Sequence, residues 1–247
     1  MGKKQKHCDP GDPLDARQGD HWDHVAYDPE HRLVVSVVPG KRTAEKAHEL
    51  VVDFKRRTGG RLMSLMTSDG YSAYEDAIRE AYASTEVPPR AGRRGRPAGP
   101  RKVMPQGLNY ATCQKVRDNG RVVEVRTRVV FGTQASVAAA LEASAVSNVV
   151  NISFVERHNG TDRNANARKT RKGYCFSKDW QVHEAVTRFT TYSYNFCWPV
   201  RTLRQKDDEG RWQEPRTPAM AAGLADHVWT VQEWLTFPAI KMNLRDP

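Results

Sequence analysis

Two carboxylates, Asp69 and Glu156, have the residue type and local sequence that chemistry on a phosphodiester needs. Asp69 follows the apolar run Leu62 to Met66, so we expect it at the carboxyl end of a strand, whereas Glu156 follows the run Val149 to Val155 and is predicted at a helix start. Such positions converge at one rim of an α/β sheet, where carboxylates hold magnesium for phosphodiester transfer. The alternative is that Asp69 is a turn residue and Glu156 an ion-pair partner of a nearby Arg, and the spacing alone favours this alternative.

Basic residues follow Glu156 closely. On a helix, Asn159, Gly160 and Arg163 share its face, and Arg163 would lie two turns beyond the acid, where it would hold a scissile phosphate. Further candidates for contacts to the DNA backbone are Arg157, Asn159, Arg168, Lys169, Arg171 and Lys172. A charge run is more often a solvated face, and only the position beside Glu156 favours a site.

A second basic segment lies between Pro88 and Pro105 and is rich in Pro, Gly and Arg. Within it, Arg94 and Arg96 belong to a short stretch similar to the Arg-Gly-Arg-Pro core of an AT-hook, which places Arg side chains in a narrow minor groove. An Arg/Gly/Pro linker explains the same composition equally well.

The composition favours a polyanionic partner. The formal net charge is +10 and the sequence pI is about 9.6, which makes nucleic acid the first candidate. No apolar run approaches the roughly 20 residues of a spanning helix, and the start Met1 to Lys6 has no apolar signal core, so we expect no membrane association and a cytoplasmic, nucleoid-associated protein. The four cysteines lie too far apart for a zinc ribbon or a secreted disulfide framework.

The elements that must position the two acids begin after a polar arm of 20 residues. The runs Trp22 to Tyr27 and Leu33 to Val38 predict a hairpin, and Thr43 is expected to cap a helix that ends at Gly59 and Gly60. Ser72 and Glu75 predict a capping box for the helix that follows Asp69.

The second half predicts another hairpin and two longer helices. Asn119-Gly120 indicates a two-residue hairpin turn between Tyr110 to Val116 and Val122 to Phe131, and an Ala-rich helix is expected over Gln134 to Ser147. Ser177 is expected to cap a last helix whose core face carries Val182, Val186, Phe189 and Phe196. Strands alternating with helices predict one α/β domain with an insertion.

The chain resembles bacterial transposases of the insertion-sequence-one family over nearly its whole length. The segments that carry the resemblance are Gly19-Asp20-His21-Trp22, Pro39-Gly40-Lys41-Arg42-Thr43, Thr67-Ser68-Asp69-Gly70, Ser153-Phe154-Val155-Glu156-Arg157-His158-Asn159, Cys175-Phe176-Ser177-Lys178, Tyr194-Asn195-Phe196-Cys197 and Thr217-Pro218-Ala219-Met220-Ala221-Ala222-Gly223.

The resemblance implies a ribonuclease-H-like mixed sheet flanked by helices and a DDE mechanism. It assigns Asp69 as the second acid, Glu156 as the third and Arg163 as the basic residue that follows the third acid by two helical turns. It further implies magnesium, with manganese as a substitute, double-stranded DNA in the form of terminal inverted repeats and target DNA, strand transfer by a 3′ hydroxyl, and a homo-oligomer that bridges two element ends.

One family feature is expected to be missing. Family members carry an Asp-Glu-x-Trp strand, with the first acid, just before the Gly-Lys-Lys that stands here as Gly2-Lys3-Lys4. That strand lies centrally and joins the first hairpin to the strand that ends at Asp69, so its loss would leave the backbone groups of both neighbours unpaired. None of Asp20, Asp23 and Asp28 matches the first acid.

We therefore expect a truncated, impaired DDE transposase, divided into a polar arm (1–20), a first catalytic part (21–87), an inserted loop and hairpin (88–133), a second catalytic part (134–205) and a C-terminal segment (206–247). The alternative is a non-catalytic DNA-binding remnant that restrains transposition. A basic RNA-binding protein is a third hypothesis, which charge and the Arg/Gly loop alone favour.

Overall fold

The computed structural model describes residues 5–9, 11–15, 18–87, 99–170 and 174–238. The strands are β1 His21–Asp28, β2 Leu33–Lys41, β3 Met66–Ser68, β4 Ser84–Glu86, β5 Arg101–Val103, β6 Tyr110–Asp118 and β7 Arg121–Phe131. The α-helices are α1 Ala44–Arg57, α2 Ala73–Tyr82, α3 Gln134–Glu142, α4 Ser153–Ala165, α5 Trp180–Cys197, α6 Pro218–Ala221 and α7 Val231–Thr236. Three-residue 3₁₀ helices cover Gln5–His7, Ala167–Lys169 and Arg201–Leu203.

The first hairpin and its helix form as the sequence predicts. β1 pairs antiparallel with β2, and the Thr43 side chain accepts a hydrogen bond from the Lys46 N–H at the start of α1. The helix ends before Gly59 and Gly60, which have φ values of +61° and +75° that glycine adopts without steric cost. The apolar face of α1 packs on the hairpin and buries Ala47, Leu50 and Val51.

A mixed three-stranded sheet carries the strand that precedes Asp69. β3 is parallel to β6, with Met66 opposite Tyr110 and Ser68 opposite Thr112, and β6 is antiparallel to β7. The predicted hairpin turn at Asn119-Gly120 is confirmed, since both residues have positive φ, as a type I′ turn requires. The predicted α/β class with helices around a mixed sheet is confirmed.

The second hairpin belongs to this sheet and is not an appendage of the basic loop. Its first strand, β6, lies in the middle of the order β3-β6-β7. The short ribbon of β4 and β5 stands on either side of the basic loop instead. β3 is also shorter than the predicted run, because it begins only at Met66.

The main apolar core joins helices α1 and α2 to the three-stranded sheet. It contains Val51 of α1, Ala77, Ile78 and Tyr82 of α2, and Leu108 and Tyr110 at the start of β6. Helix α2 therefore packs between α1 and the three-stranded sheet, which fixes the position of the Asp69 turn just before α2.

The capping box predicted before α2 is wrong. Ser72 has helical φ and ψ values of −59° and −30°, and its side chain makes no cap hydrogen bond. Glu75 instead accepts hydrogen bonds from Arg79, 2.8 Å away, and from Arg128 of β7, 2.9 Å away. A cap needs an extended residue at this position, and the turn after Asp69 already has helical geometry.

The predicted core face of α5 is also wrong in part. Asp179, rather than Ser177, caps the helix by accepting from the Val182 N–H, and Val182 and Phe189 are exposed. The residues that α5 buries are polar: His183, Thr187, Thr191 and Asn195. The Ala-rich helix α3 is shorter than predicted and ends at Glu142.

Asn195 explains how a polar helix face packs on an apolar hairpin. Its side chain accepts from the Val34 N–H at 3.0 Å and donates to the Val34 carbonyl at 2.8 Å, so it satisfies both backbone groups of a residue in β2. Hydrogen-bonded in this way, a polar side chain is buried without a large desolvation penalty.

Strand β1 and strand β3, which precedes Asp69, each have one edge that no described strand pairs with. Within the described part of the chain, β1 pairs with β2 alone and β3 pairs with β6 alone. The two sheets therefore have unpaired edges at β1 and β3. None of the described helices is long and apolar enough to cross a membrane.

Candidate functional site

Asp69 lies directly after β3, at the carboxyl end of the strand, as the sequence predicts. Its Oδ1 accepts from the Tyr71 N–H at 3.2 Å, and its Oδ2 lies 3.5 Å from Nη2 of Arg42. About half of the carboxylate side chain is exposed, at 49%. Asp69 thus combines the geometry of a turn residue with access to a ligand.

The Arg42 guanidinium lies between two aromatic rings. Its Cζ atom is 4.5 Å from the ring centre of Tyr71 and 5.2 Å from that of Trp22. The Tyr71 hydroxyl donates to the Arg42 carbonyl at 3.2 Å, which ties β2 to the turn after β3. Cation–π contacts of this kind hold the charge at a fixed place beside Asp69.

Sequence reasoning did not identify Arg42, Trp22 or Tyr71 as site residues. The signal for two of them was present, because Trp22 and Arg42 lie in segments that carry the family resemblance. Their contact with one another and with Asp69 depends on three chain segments meeting, which residue spacing does not reveal.

Glu156 lies in the first turn of α4, as predicted. The start of this helix is held by Asn151, whose Oδ1 accepts from the Ser153 N–H at 3.1 Å. The Thr67 hydroxyl of β3 donates to the Asn151 carbonyl at 3.3 Å. Helix α4 is therefore tied to β3 two residues before Asp69.

The Glu156 carboxylate forms an ion pair with Lys115 of β6. Ser68 is opposite Thr112, so Cys113 is level with Asp69, and Lys115 lies about 7 Å farther along the neighbouring strand. Lys115, and with it Glu156, consequently lies beyond the carboxyl end of β3, on the side where Asp69 follows that strand. Lys115 is a further residue that sequence reasoning missed, since no local pattern links it to Glu156.

The described acids do not by themselves complete a metal site. Asp69 has Arg42 as its cation and Glu156 has Lys115, and no cluster of three or more His, Cys, Asp or Glu side chains suited to a metal occurs among the residues that the structure describes. Two separated carboxylates, each with a cationic partner, are a weak ligand set for magnesium.

The inner face of α4 is fixed by His158. Its ring stacks on Tyr27 of β1, with centroids 4.9 Å apart, and lies 5.1 Å from the ring of Tyr194 in α5. Burial lowers the pKa of His158 to about 4, so the imidazole is neutral at pH 7. A neutral, buried ring in this position supports the helix and leaves Glu156 on the outer side.

Lys169, predicted to contact DNA, is instead buried in an ion cluster. Its side chain is only 6% exposed, and its Nζ lies 3.0 Å from Oδ2 of Asp23 and pairs with Asp162. Nε2 of His183 lies 3.8 Å from Oδ1 of Asp23. The predicted DNA contact at Lys169 is therefore not supported, because its ammonium cannot reach a phosphate without leaving both partners.

The two acids of this cluster respond differently to burial. Burial raises the pKa of Asp162. Burial also acts to raise the pKa of Asp23, but the neighbouring His183 imidazole and the charge of Lys169 outweigh it, so that the pKa of Asp23 is lowered. Asp23 is thus held inside the fold and does not supply a third acid beside Asp69.

The remaining candidates for DNA contact fall into two groups, those on or after α4 and those outside the described part of the chain. Arg157, Arg163 and Arg168 are exposed, and Nε of Arg163 donates to the Asn159 carbonyl at 2.9 Å, while Asn159 and Gly160 are half-buried on the Glu156 face. Four candidates lie outside the described residues: Arg94, Arg96, Arg171 and Lys172.

Comparisons with protein-family models, with curated proteins and with solved structures give no match to this chain.

Proposed function

We propose that this chain belongs to a DDE-type transposase of an insertion sequence, of the insertion-sequence-one family, which binds element ends and carries out metal-dependent DNA cleavage and strand transfer. The observation that carries the proposal is that α4, with Glu156 in its first turn and exposed arginines along it, is tied to β3 two residues before Asp69. With a third acid beside them, such carboxylates would suit phosphodiester chemistry, and the arginines suit the phosphates on either side.

A second observation supports the family. Trp22, Arg42 and Asp69 come from three separate segments that carry the resemblance, and they form one contact group. Structural packing alone does not require this, since Trp22 is 51% exposed and the Arg42–Asp69 pair is half-exposed. A shared place in a DNA site explains why these residues meet.

The open edges of β1 and β3 support the ribonuclease-H-like fold as part of the proposal. In that fold a central strand with the first acid joins the hairpin to the strand that ends at the second acid. The described strands form the sheets β1-β2 and β3-β6-β7, and β1 and β3 each keep one edge unpaired among them, as such a sheet would without its central strand.

In the proposed site, Asp69 and Glu156 are two of three acids, and magnesium, or manganese in its place, is the metal of the complete set. Arg42 and Lys115 neutralise the two acids of the described chain. Arg157, Arg163 and Arg168 are proposed to contact the DNA backbone. The partners are terminal inverted repeats and target DNA, bound by an oligomer.

Strand transfer on labelled element ends tests the proposal. The chain is compared with a version that carries an Asp-Glu-x-Trp strand in front of Gly2, in magnesium buffer and in EDTA. We expect transfer products only from the extended version in magnesium, and we expect Asp69→Asn and Glu156→Gln to abolish them. Absence of transfer by both versions, together with wild-type folding by circular dichroism, contradicts the enzyme proposal.

The alternative is a DNA-binding protein without catalysis, and the two cation-paired acids favour it. It predicts binding of element ends in EDTA that weakens steeply with salt, and weaker binding when Arg157, Arg163 and Arg168 are replaced by Ala together. The buried Lys169 is the wrong residue for this test, because its loss affects folding. Tighter binding of RNA than of duplex DNA of the same length would favour the RNA-binding hypothesis instead.

A further inference from the structure

The outer edge of β7 is the longest open strand edge of the described chain. β7 has 11 residues, and within the described strands it pairs on one side only, with β6. β3 covers β6 only from Tyr110 to Thr112, so the rest of the hairpin extends beyond the sheet. An edge of this kind presents a row of backbone N–H and C=O groups that pair readily with another strand.

The side chains of this extension are unusually apolar for an exposed strand. Val122, Val123 and Val125 are 45%, 61% and 52% exposed. A two-stranded ribbon without further partners is of marginal stability in water, and exposed β-branched residues gain by being covered in a wider sheet. Binding of another strand would therefore both pair the free backbone groups of the ribbon and reduce the exposure of its valines.

The charges on β7 identify which strand fits. Glu124 and Arg126 flank Val125 and form an ion pair 2.8 Å long on the same face of the strand. When β7 pairs antiparallel with β7 of a second copy about a two-fold axis through Val125, Glu124 lies opposite Arg126 of the partner subunit, and this happens twice. Moving the axis by one residue places Arg126 opposite its own copy, which is repulsive.

We propose that β7 is a self-complementary homodimer edge, in which two copies of this chain join their three-stranded sheets across Val125. The interface is isologous, since the same residues serve both copies. Two cross-strand Glu–Arg pairs fix the register, and Val125 packs beside its own copy at the axis. The transposase proposal includes an oligomer, and this inference assigns a dimer contact to β7, although the strand edge and charges that carry it hold without that proposal.

Sedimentation velocity of the full chain over a wide concentration range tests the proposal. We expect a monomer–dimer equilibrium that Val125→Lys weakens by about tenfold, because the contact between the two valines is lost and two ammonium groups face each other at the axis. Val149→Lys, at an exposed valine outside the strand, is the matched control and is expected to leave the equilibrium unchanged. Circular dichroism verifies that both variants are folded.

Charge exchange tests the register. Glu124→Arg and Arg126→Glu are each expected to weaken the dimer by about tenfold, and the double variant Glu124→Arg/Arg126→Glu is expected to recover it to within about threefold, since the two interactions are coupled. A chain that is monomeric at all concentrations overturns the proposal, as does a double variant no better than the singles. A monomeric chain whose duplex DNA binding is weakened by Arg126→Glu would assign the ribbon to DNA and overturn it too.

Discussion

Replacement of Lys169 by Met provides a quantitative test of how α4 is held. Lys169 is the shared cation of Asp23 and Asp162, and its side chain and that of Asp162 are 6% and 12% exposed. Removing one partner of a buried ion pair costs about 3 to 5 kcal/mol, because the other charge stays buried without compensation. Asp23 retains His183 and is partly exposed, so we expect the lower end, about 3 kcal/mol at pH 7.

The pH dependence of this loss has a predictable sign. In Lys169→Met the buried Asp162, whose pKa is already raised by burial, takes up a proton in the folded chain as the pH falls, whereas the unfolded chain stays ionised until lower pH. The folded variant therefore gains stability on acidification. Between pH 7 and pH 4.5 we expect the difference from the parent to shrink by about 1 to 2 kcal/mol.

Urea unfolding monitored by tryptophan fluorescence measures both effects. Lys178→Met removes the same charge from an exposed position and is expected to change the free energy of unfolding by less than about 0.5 kcal/mol. A loss below about 1 kcal/mol for Lys169→Met at pH 7 would refute the buried-cluster reasoning. Wild-type stability with weaker DNA binding would return Lys169 to the candidate DNA contacts.

Two further substitutions and one titration test other parts of the structure. Asn195→Ala leaves the buried N–H and C=O of Val34 without partners, and we expect thermal unfolding to show a loss of about 2 to 3 kcal/mol; an unchanged melting temperature would contradict this role. His158 is expected to remain neutral in an NMR titration from pH 8 down to pH 5, and protonation near pH 6.5 would show that its ring is not buried between Tyr27 and Tyr194. Gly120→Val puts a branched side chain at φ +81° and should destabilise the chain by about 1 to 2 kcal/mol in urea, whereas a neutral effect would rule out the type I′ turn.

The parts of the fold that the sequence predicted depend on short-range signals. Asn119-Gly120 allows few backbone conformations other than a tight hairpin turn, and Thr43 before an amphipathic run indicates a helix start. The position of Asp69 followed from the same kind of signal, an apolar run with a polar end. These features were predictable because the residues that decide them are neighbours in the chain.

The missed features depend on contacts between distant segments. Hydrophobic periodicity assigned Val182 and Phe189 to the core of α5, but the helix buries polar side chains instead, among them Asn195, which bonds to the backbone of β2. Lys169 looked like its basic neighbours, and only the meeting of β1 and α4 makes it a buried cation. Lys115 stands opposite Glu156 for the same reason, since the pair forms only when α4 docks on β6.

Asp69 and Glu156 are proposed to belong to one active site for DNA strand transfer. The most direct measurement is the rate of strand transfer by the strand-extended chain with Glu156 changed to Gln and to Cys, in magnesium and in manganese. We predict that Gln lowers the rate by at least about 100-fold in both metals, and that Cys is inactive in magnesium but recovers in manganese, which accepts a thiolate ligand more readily. Transfer by Glu156→Gln within twofold of the parent would contradict the claim.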